Sequence, residues 1–180
     1  MRNPYITPLK CYVFLYLIKS KSDIIMSMDF DAYYLELCSF DNLSIAWKRI
    51  QTAQNIFYKN YYRQLFIAYD HASNKHIASL SDRLKGTSYE PSDILKFYIP
   101  KPSGLHRPIT FLHLDDLIVY QAIVNILAKK FEHERKKVEN ITVFSNVLNR
   151  DTTKEIFFFK KWQEGYSKFK RHNKIRFRFD

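Results

Sequence analysis

Between residues 97 and 109 the chain reads Phe-Tyr-Ile-Pro-Lys-Pro-Ser-Gly-Leu-His-Arg-Pro-Ile, and no other stretch restricts the fold as strongly. Two short runs of apolar, β-branched and aromatic residues, 95–99 and 107–112, are separated by Pro100, Pro102, Ser103 and Gly104. The spacing predicts a hairpin whose loop is longer than two residues. Pro108 has no N–H to give to a ladder, which confines its strand to an edge. Lys101 and Arg107 stand on either side of the turn. Such a pair suits a polyphosphate, the arginine as a bidentate fork and the lysine as a point charge, and it is equally compatible with a solvated basic turn.

The hairpin runs directly into a helical pattern over 115–131. Leu117, Ile118, Val124, Leu127 and Phe131 recur at helical spacing, with acid at the start in Asp115 and Asp116 and base at the end in Lys129 and Lys130. The two aspartates are expected to serve capping and packing. Further helices are predicted over 42–69, with an inward stripe at positions 43, 46, 47, 50, 53, 57, 61 and 65, over 75–85 with a stop at Gly86, and over 153–172. Residues 132–140 read as a charged connector. The fold class is therefore α+β, mostly helical, with one hairpin.

Taken together, Ile99-Pro-Lys-Pro-Ser-Gly-Leu-His-Arg-Pro-Ile-Thr-Phe-Leu-His-Leu-Asp-Asp and the following Gln121-Ala122 pair resemble the N-terminal fingers motifs of bacterial reverse transcriptases, the group that includes retron, group II intron and abortive-infection enzymes. Upstream, the Ala46-Trp47 helix and Tyr89-Glu90-Pro91 resemble the family's lead-in. The 57–66 segment lacks the glycine- and aspartate-rich insert of many group II intron relatives, so the resemblance leans toward the phage-defence branch. It spans about residues 29–170. It implies a fingers subdomain of a right-hand polymerase, with Lys101 and Arg107 contacting the triphosphate of the incoming nucleotide. The implied partners are an RNA template, a DNA primer or product and dNTPs. The implied cofactor is Mg2+ in the intact enzyme, with none expected for these residues alone.

Templated polymerisation of this kind uses two divalent ions held by carboxylates. The family takes them from an aspartate ending a palm strand and from a later Tyr-x-Asp-Asp box, which this sequence lacks. The pair Asp115-Asp116 opens a helix and does not match the box. Residues 175–180 alternate apolar and basic residues like a strand and end on Asp180, which the resemblance makes the candidate first catalytic and metal-binding aspartate. A single carboxylate does not assemble a two-metal site. The sequence thus reads as the fingers part of such an enzyme, with the remaining palm and thumb as a further partner if the gene is split. The alternative is a self-standing basic nucleic-acid-binding or interaction protein without catalysis.

Charge supports either reading. There are 29 Lys and Arg against 18 Asp and Glu, a formal net charge of +11. The excess gathers near the end, where Lys160, Lys161, Lys168, Lys170 and Arg171 are interleaved with rings and are the candidate nucleic-acid contacts. Phe158, Trp162, Tyr166 and Phe169 recur at helical spacing, which predicts that the rings face inward while the cations remain available.

Cys11 and Cys38 have no CxxC partner or histidine cluster, and both suit a reducing cytoplasm. The apolar run 11–18 is too short to span a membrane, and Met26 or Met28 is an expected translation start. The expected organisation is an N-terminal extension at 1–27, a helical lead-in at 28–92, the hairpin and its helix at 93–131, and a basic helical segment at 132–180 leading to a candidate palm strand.

Overall fold

The computed structural model describes residues 30–52, 56–149 and 156–176. By its contacts the chain divides after Tyr34, and apart from residues 30–34 at the start of the first helix everything below concerns the unit 35–180. Along the chain run α1 (Phe30–Cys38), α2 (Phe40–Thr52), α3 (Ile56–Tyr61), α4 (Arg63–His71) and α5 (Ser73–Lys85). The hairpin strands β1 (Leu95–Pro100) and β2 (His106–Phe111) follow, then α6 (Leu114–Lys130), α7 (Glu132–Lys136) and α8 (Trp162–Arg176). The protein is α+β and mostly helical, and its two strands form an antiparallel pair.

The core is built around α6. An amphipathic helix buries one stripe, but α6 buries Leu114, Ile118, Val119, Ala122, Ile126 and Ala128 around its circumference, the pattern of a central helix. It packs most extensively on α2, which presents Leu43, Ala46, Trp47 and Ile50, and α2 in turn meets α5 through Ile77, Leu80 and Leu84. Trp47 lies 4.7 Å from the Tyr69 ring and 5.4 Å from that of Phe66. Tyr69 stacks on His76 at 4.6 Å. The Ser81 hydroxyl donates to the Cys38 carbonyl at 2.6 Å, fastening α5 to the end of α1.

Four sequence expectations are corrected. The long helix expected over 42–69 is broken into α2, α3 and α4, and of its expected inward stripe Leu43, Ala46, Trp47 and Ile50 are buried while Tyr61 is half exposed. The break at Tyr62 lets Tyr61 and Tyr62 turn their rings onto Phe111, at 5.2 and 6.3 Å, a contact that continued helix periodicity would not give. The connector at 132–140 contains the short α7, held by the i,i+4 pairs Lys136–Glu132 and Arg135–Glu139. The last helix starts at Trp162 and runs on to Arg176, so Ile175 and Arg176 are helical and do not open a strand.

Helix α5 stops where Gly86 predicted, but the left-handed residue that turns the chain is Thr87, at φ 54°. Gly86 has little room for a side chain, since a β-carbon there would sit 3.2 Å from the Asp82 carbonyl oxygen. A β-branched residue at positive φ is strained, and here the N–H groups of Ser88 and Tyr89, both bonded to the Arg83 carbonyl at 3.0 and 3.1 Å, hold the turn in place.

Candidate functional site

The hairpin is anchored at its root and open at its tip. At the root, Phe97 and Phe111 contact each other at 5.1 Å and Tyr61 at 5.4 and 5.2 Å, with Phe111 buried. Rings at these separations favour tilted and edge-to-face arrangements, which is how these pairs lie. The chain entering the hairpin is bound to the helix leaving it. Asp116, buried in the first turn of α6, accepts the Tyr89 hydroxyl proton on one carboxylate oxygen and the Ser92 N–H on the other, at 3.0 Å. Its neighbour Asp115 forms an ion pair with Arg83 of α5.

The two aspartates therefore do not cap their helix, as the sequence pattern suggested. The N-cap residue is His113, which makes no side-chain cap bond, and the carboxylates instead reach back to 83–92. Burial first, then the hydrogen bond to Asp116, pushes the Tyr89 hydroxyl far above the ordinary tyrosine range. Burial first, then the Asp115 carboxylate, does the same for Tyr69. Both shifts favour the neutral phenol in the fold. Stability from these groups is complete below the unfolded value near 10 and is lost as pH rises above it, by about 1.4 kcal/mol per pH unit per tyrosine. In a spectrophotometric alkaline titration, two tyrosines are expected to ionise only together with unfolding. Ionisation of every tyrosine near pH 10 with helical circular dichroism intact would contradict this arrangement.

The tip follows from its residues. Pro102 presets the first central position of a type I turn, the Gly104 N–H donates to the Lys101 carbonyl at 3.0 Å, and Gly104 adopts φ 80°, where a β-carbon would be strained. The Lys101 N–H then donates to the Leu105 carbonyl at 2.7 Å, closing a three-residue loop. With Ile99 opposite Arg107 and Lys101 opposite Leu105, strand alternation puts Lys101 and Arg107 on one face as diagonal neighbours. Both are exposed, and among the described residues neither has an ion-pair partner.

The basic segment forms a separate surface. Residues 147–149 pair with 157–160 through Lys160 N–H to Val147 at 2.9 Å and Asn149 N–H to Phe158 at 3.1 Å. Helix α8 then presses Gly165 against the Phe144 carbonyl so closely that a β-carbon would collide with that oxygen. This seats Lys160, Lys161 and Lys168 around a shallow pocket, with the Lys168 ammonium donating to the Asn140 side chain at 2.8 Å. Lys170 does not line that pocket and instead lies over the Tyr166 ring at 4.7 Å, while Arg171 is exposed.

The inward-facing rings predicted for this segment are corrected. Trp162 is 66% exposed, Tyr166 50% and Phe169 43%, while Phe158 lies outside the helix and faces the Arg49 guanidinium at 4.8 Å. The helical spacing was real, but Trp162 and Tyr166 lie mostly open, and Phe169 meets the Phe144 ring, at 5.9 Å, without being buried.

Asp180 lies outside the described residues, as do Cys11 and the first 29 residues. Among the described residues no group of three His, Cys, Asp or Glu side chains could hold a metal ion. Asp115 and Asp116, the adjacent carboxylates, are already engaged by Arg83, Tyr89 and Ser92, so a magnesium pair does not fit them and no step is derived through one. No helix among the described residues is long and apolar enough to cross a membrane.

Sequence reasoning missed a buried polar cluster between α2 and α6. The Arg49 guanidinium donates to the Asn125 side-chain oxygen at 2.5 Å, and Gln121 donates to the same oxygen at 2.9 Å. The Asn125 amide donates to Asn42 at 2.9 Å, and Asn42 donates to the Ala122 carbonyl at 3.2 Å. Arg49 is 3% exposed. A search for similarity to protein-family models, to curated proteins and to solved structures finds no match for this chain.

Proposed function

We propose that this chain is the fingers portion of an RNA-directed DNA polymerase of the bacterial reverse-transcriptase kind, one branch of which serves phage defence. The observation that carries the reading is the hairpin: an anchored root and a tip whose two exposed cations, Lys101 and Arg107, share one face and have no ion-pair partner among the described residues. In this role the tip holds the triphosphate of an incoming nucleotide, charge against charge. The RNA template and DNA strand run past the adjoining basic surface. The chemistry would belong to the carboxylates of a Tyr-x-Asp-Asp box, which these 180 residues lack, so in this reading the chain by itself binds and positions.

A second reading, a basic nucleic-acid-binding protein without catalysis, is favoured by α8. Exposed Trp162 and Tyr166 stand four residues apart on a helix that also carries Lys168, Lys170 and Arg171, with Lys161 just before it. Rings of this kind stack on unpaired bases while cations meet phosphates, which holds single strands without reading their sequence.

Titration with a deoxynucleoside triphosphate and with a labelled single-stranded RNA separates the two. Lys101→Ala and Arg107→Ala each remove a charge-assisted contact of about 1.5–3 kcal/mol, so triphosphate affinity is expected to fall by roughly ten- to a hundredfold while RNA affinity changes by less than about threefold. Trp162→Ala with Tyr166→Ala is expected to show the opposite pattern. Equal loss of both ligands on tip substitution would remove the triphosphate assignment. RNA binding with no triphosphate binding at all would leave the second reading.

A further inference from the structure

The hairpin has two outer edges, and they are not equivalent. In the observed register the Lys101 N–H points inward to Leu105, so by alternation the N–H groups of Leu95, Phe97 and Ile99 also point inward, and those of Lys96 and Tyr98 point out. On the opposite strand the outward positions are His106, Pro108 and Thr110, and the middle one has no N–H. Proline therefore blunts the edge of β2 while the edge of β1 keeps its donors and acceptors. Among the described residues β1 pairs only with β2.

We propose that the outer edge of β1 pairs antiparallel with β1 of a second copy of this chain, across a twofold axis through Phe97, to give a four-stranded sheet. The register is selected by what each alternative would oppose. Only even-numbered residues point outward, so pairings centred on the strand have their axis through Lys96, Phe97 or Tyr98. An axis through Lys96 sets Lys96 against Lys96 of the partner, two like charges face to face. An axis through Tyr98 sets Lys96 against Pro100, which has no donor. An axis through Phe97 sets Lys96 against Tyr98 twice, satisfying four backbone N–H groups and laying each ammonium beside a phenol ring.

The flanking charges agree with that axis. Asp93 and Lys101 each stand four residues from Phe97, on opposite sides, so the same register places Asp93 of one copy against Lys101 of the other, twice. Both side chains are exposed, and neither has an ion-pair partner among the described residues. On the inner face Leu95 and Phe97, 43% and 38% exposed, would gain cover from Ile99 and Phe97 of the partner. Because β2 is blunted, each chain has one usable edge, and the pairing closes at two copies without propagating into a fibre.

Sedimentation equilibrium of the full chain over a range of concentrations tests this. The wild type is expected to populate a monomer–dimer equilibrium. Tyr98→Pro removes an outward N–H opposite Pro108, where no ladder bond of the hairpin is lost, and is expected to leave a monomer with unchanged circular dichroism. Asp93→Lys and Lys101→Asp each create two like-charge contacts across the axis and should weaken dimerisation by about tenfold or more, while the double swap should restore it to within about threefold. Both sites are exposed, so neither swap threatens the fold. A wild type that stays monomeric at all concentrations would overturn the proposal. So would a dimer that survives Tyr98→Pro, or a double swap that fails to rescue.

Discussion

Asn125→Leu is expected to destabilise this protein by about 3 kcal/mol, because one substitution takes a hydrogen-bond partner from the buried Arg49 and from the half-buried Gln121 and Asn42 at once. The Asn125 oxygen accepts from Arg49 and Gln121, and its amide donates to Asn42. Leucine would fill the space and add apolar area, worth about 1 kcal/mol at most for the atoms gained. Against this, Arg49 is a buried cation, 3% exposed, that would lose a hydrogen bond. Removing one partner of such a contact costs more than the contact contributes. A urea denaturation midpoint that falls with its slope unchanged, alongside a drop in Tm of about 6–12 °C, is the expected record. Arg49→Met combined with Asn125→Leu should be less destabilised than the sum of the two single changes, since the double variant removes both sides of their contact. Strict additivity would mean that the cluster is not coupled.

Gly165→Ala sets two effects of opposite sign against each other. In a helix interior alanine is favoured over glycine by about 1 kcal/mol, so propensity alone predicts a more stable protein. The collision of the new β-carbon with the Phe144 carbonyl predicts the reverse, because a backbone oxygen cannot rotate away as the end of a side chain can. Overpacking costs about 1–3 kcal/mol and occasionally more, and a clash this close with backbone stands at the upper end, so the collision should win, with a net loss near 2 kcal/mol and a Tm lower by roughly 4–8 °C. Partial detachment of α8 from Phe144 is the expected response. The contacts of Phe144 with Phe169 and His172, at 5.9 and 5.4 Å, would open with it. A Tm that rises on this substitution would show that α8 does not rest on the 138–147 segment.

What could be read from the sequence was local. The hairpin was legible to within a residue because Pro102 and Gly104 admit few backbone conformations and because strand alternation is short-range. Helix α6 was legible because its apolar residues recur without interruption, and the stop of α5 at Gly86 was marked by composition. The failures came where distant residues decide. Nothing near Tyr62 announces a break, and the ring it meets there, Phe111, lies far along the chain. Asp116 looked like a cap because caps are local, whereas its partners Tyr89 and Ser92 lie on the other side of the hairpin. Arg49 and Asn125 are separated by 76 positions, and each alone reads as an ordinary polar residue on its helix. The rings of α8 have the periodicity of a core face, and periodicity does not say whether a partner is present.

The carboxylate of Asp116 has one more consequence. The chain departs at Ser92, forms the hairpin and returns at Leu114, and Asp116 bolts the point of departure to the point of return. Whatever lies between is a closed excursion, topologically a cartridge on a fixed socket. Lengthening the turn around Pro102 and Ser103 moves neither end, and closing a longer flexible loop adds only about 0.6 kcal/mol for each doubling. The tip is thus the part of this molecule that can change its length and chemistry most freely while α2, α5 and α6 stay as they are, and a different tip could be grafted onto the same root.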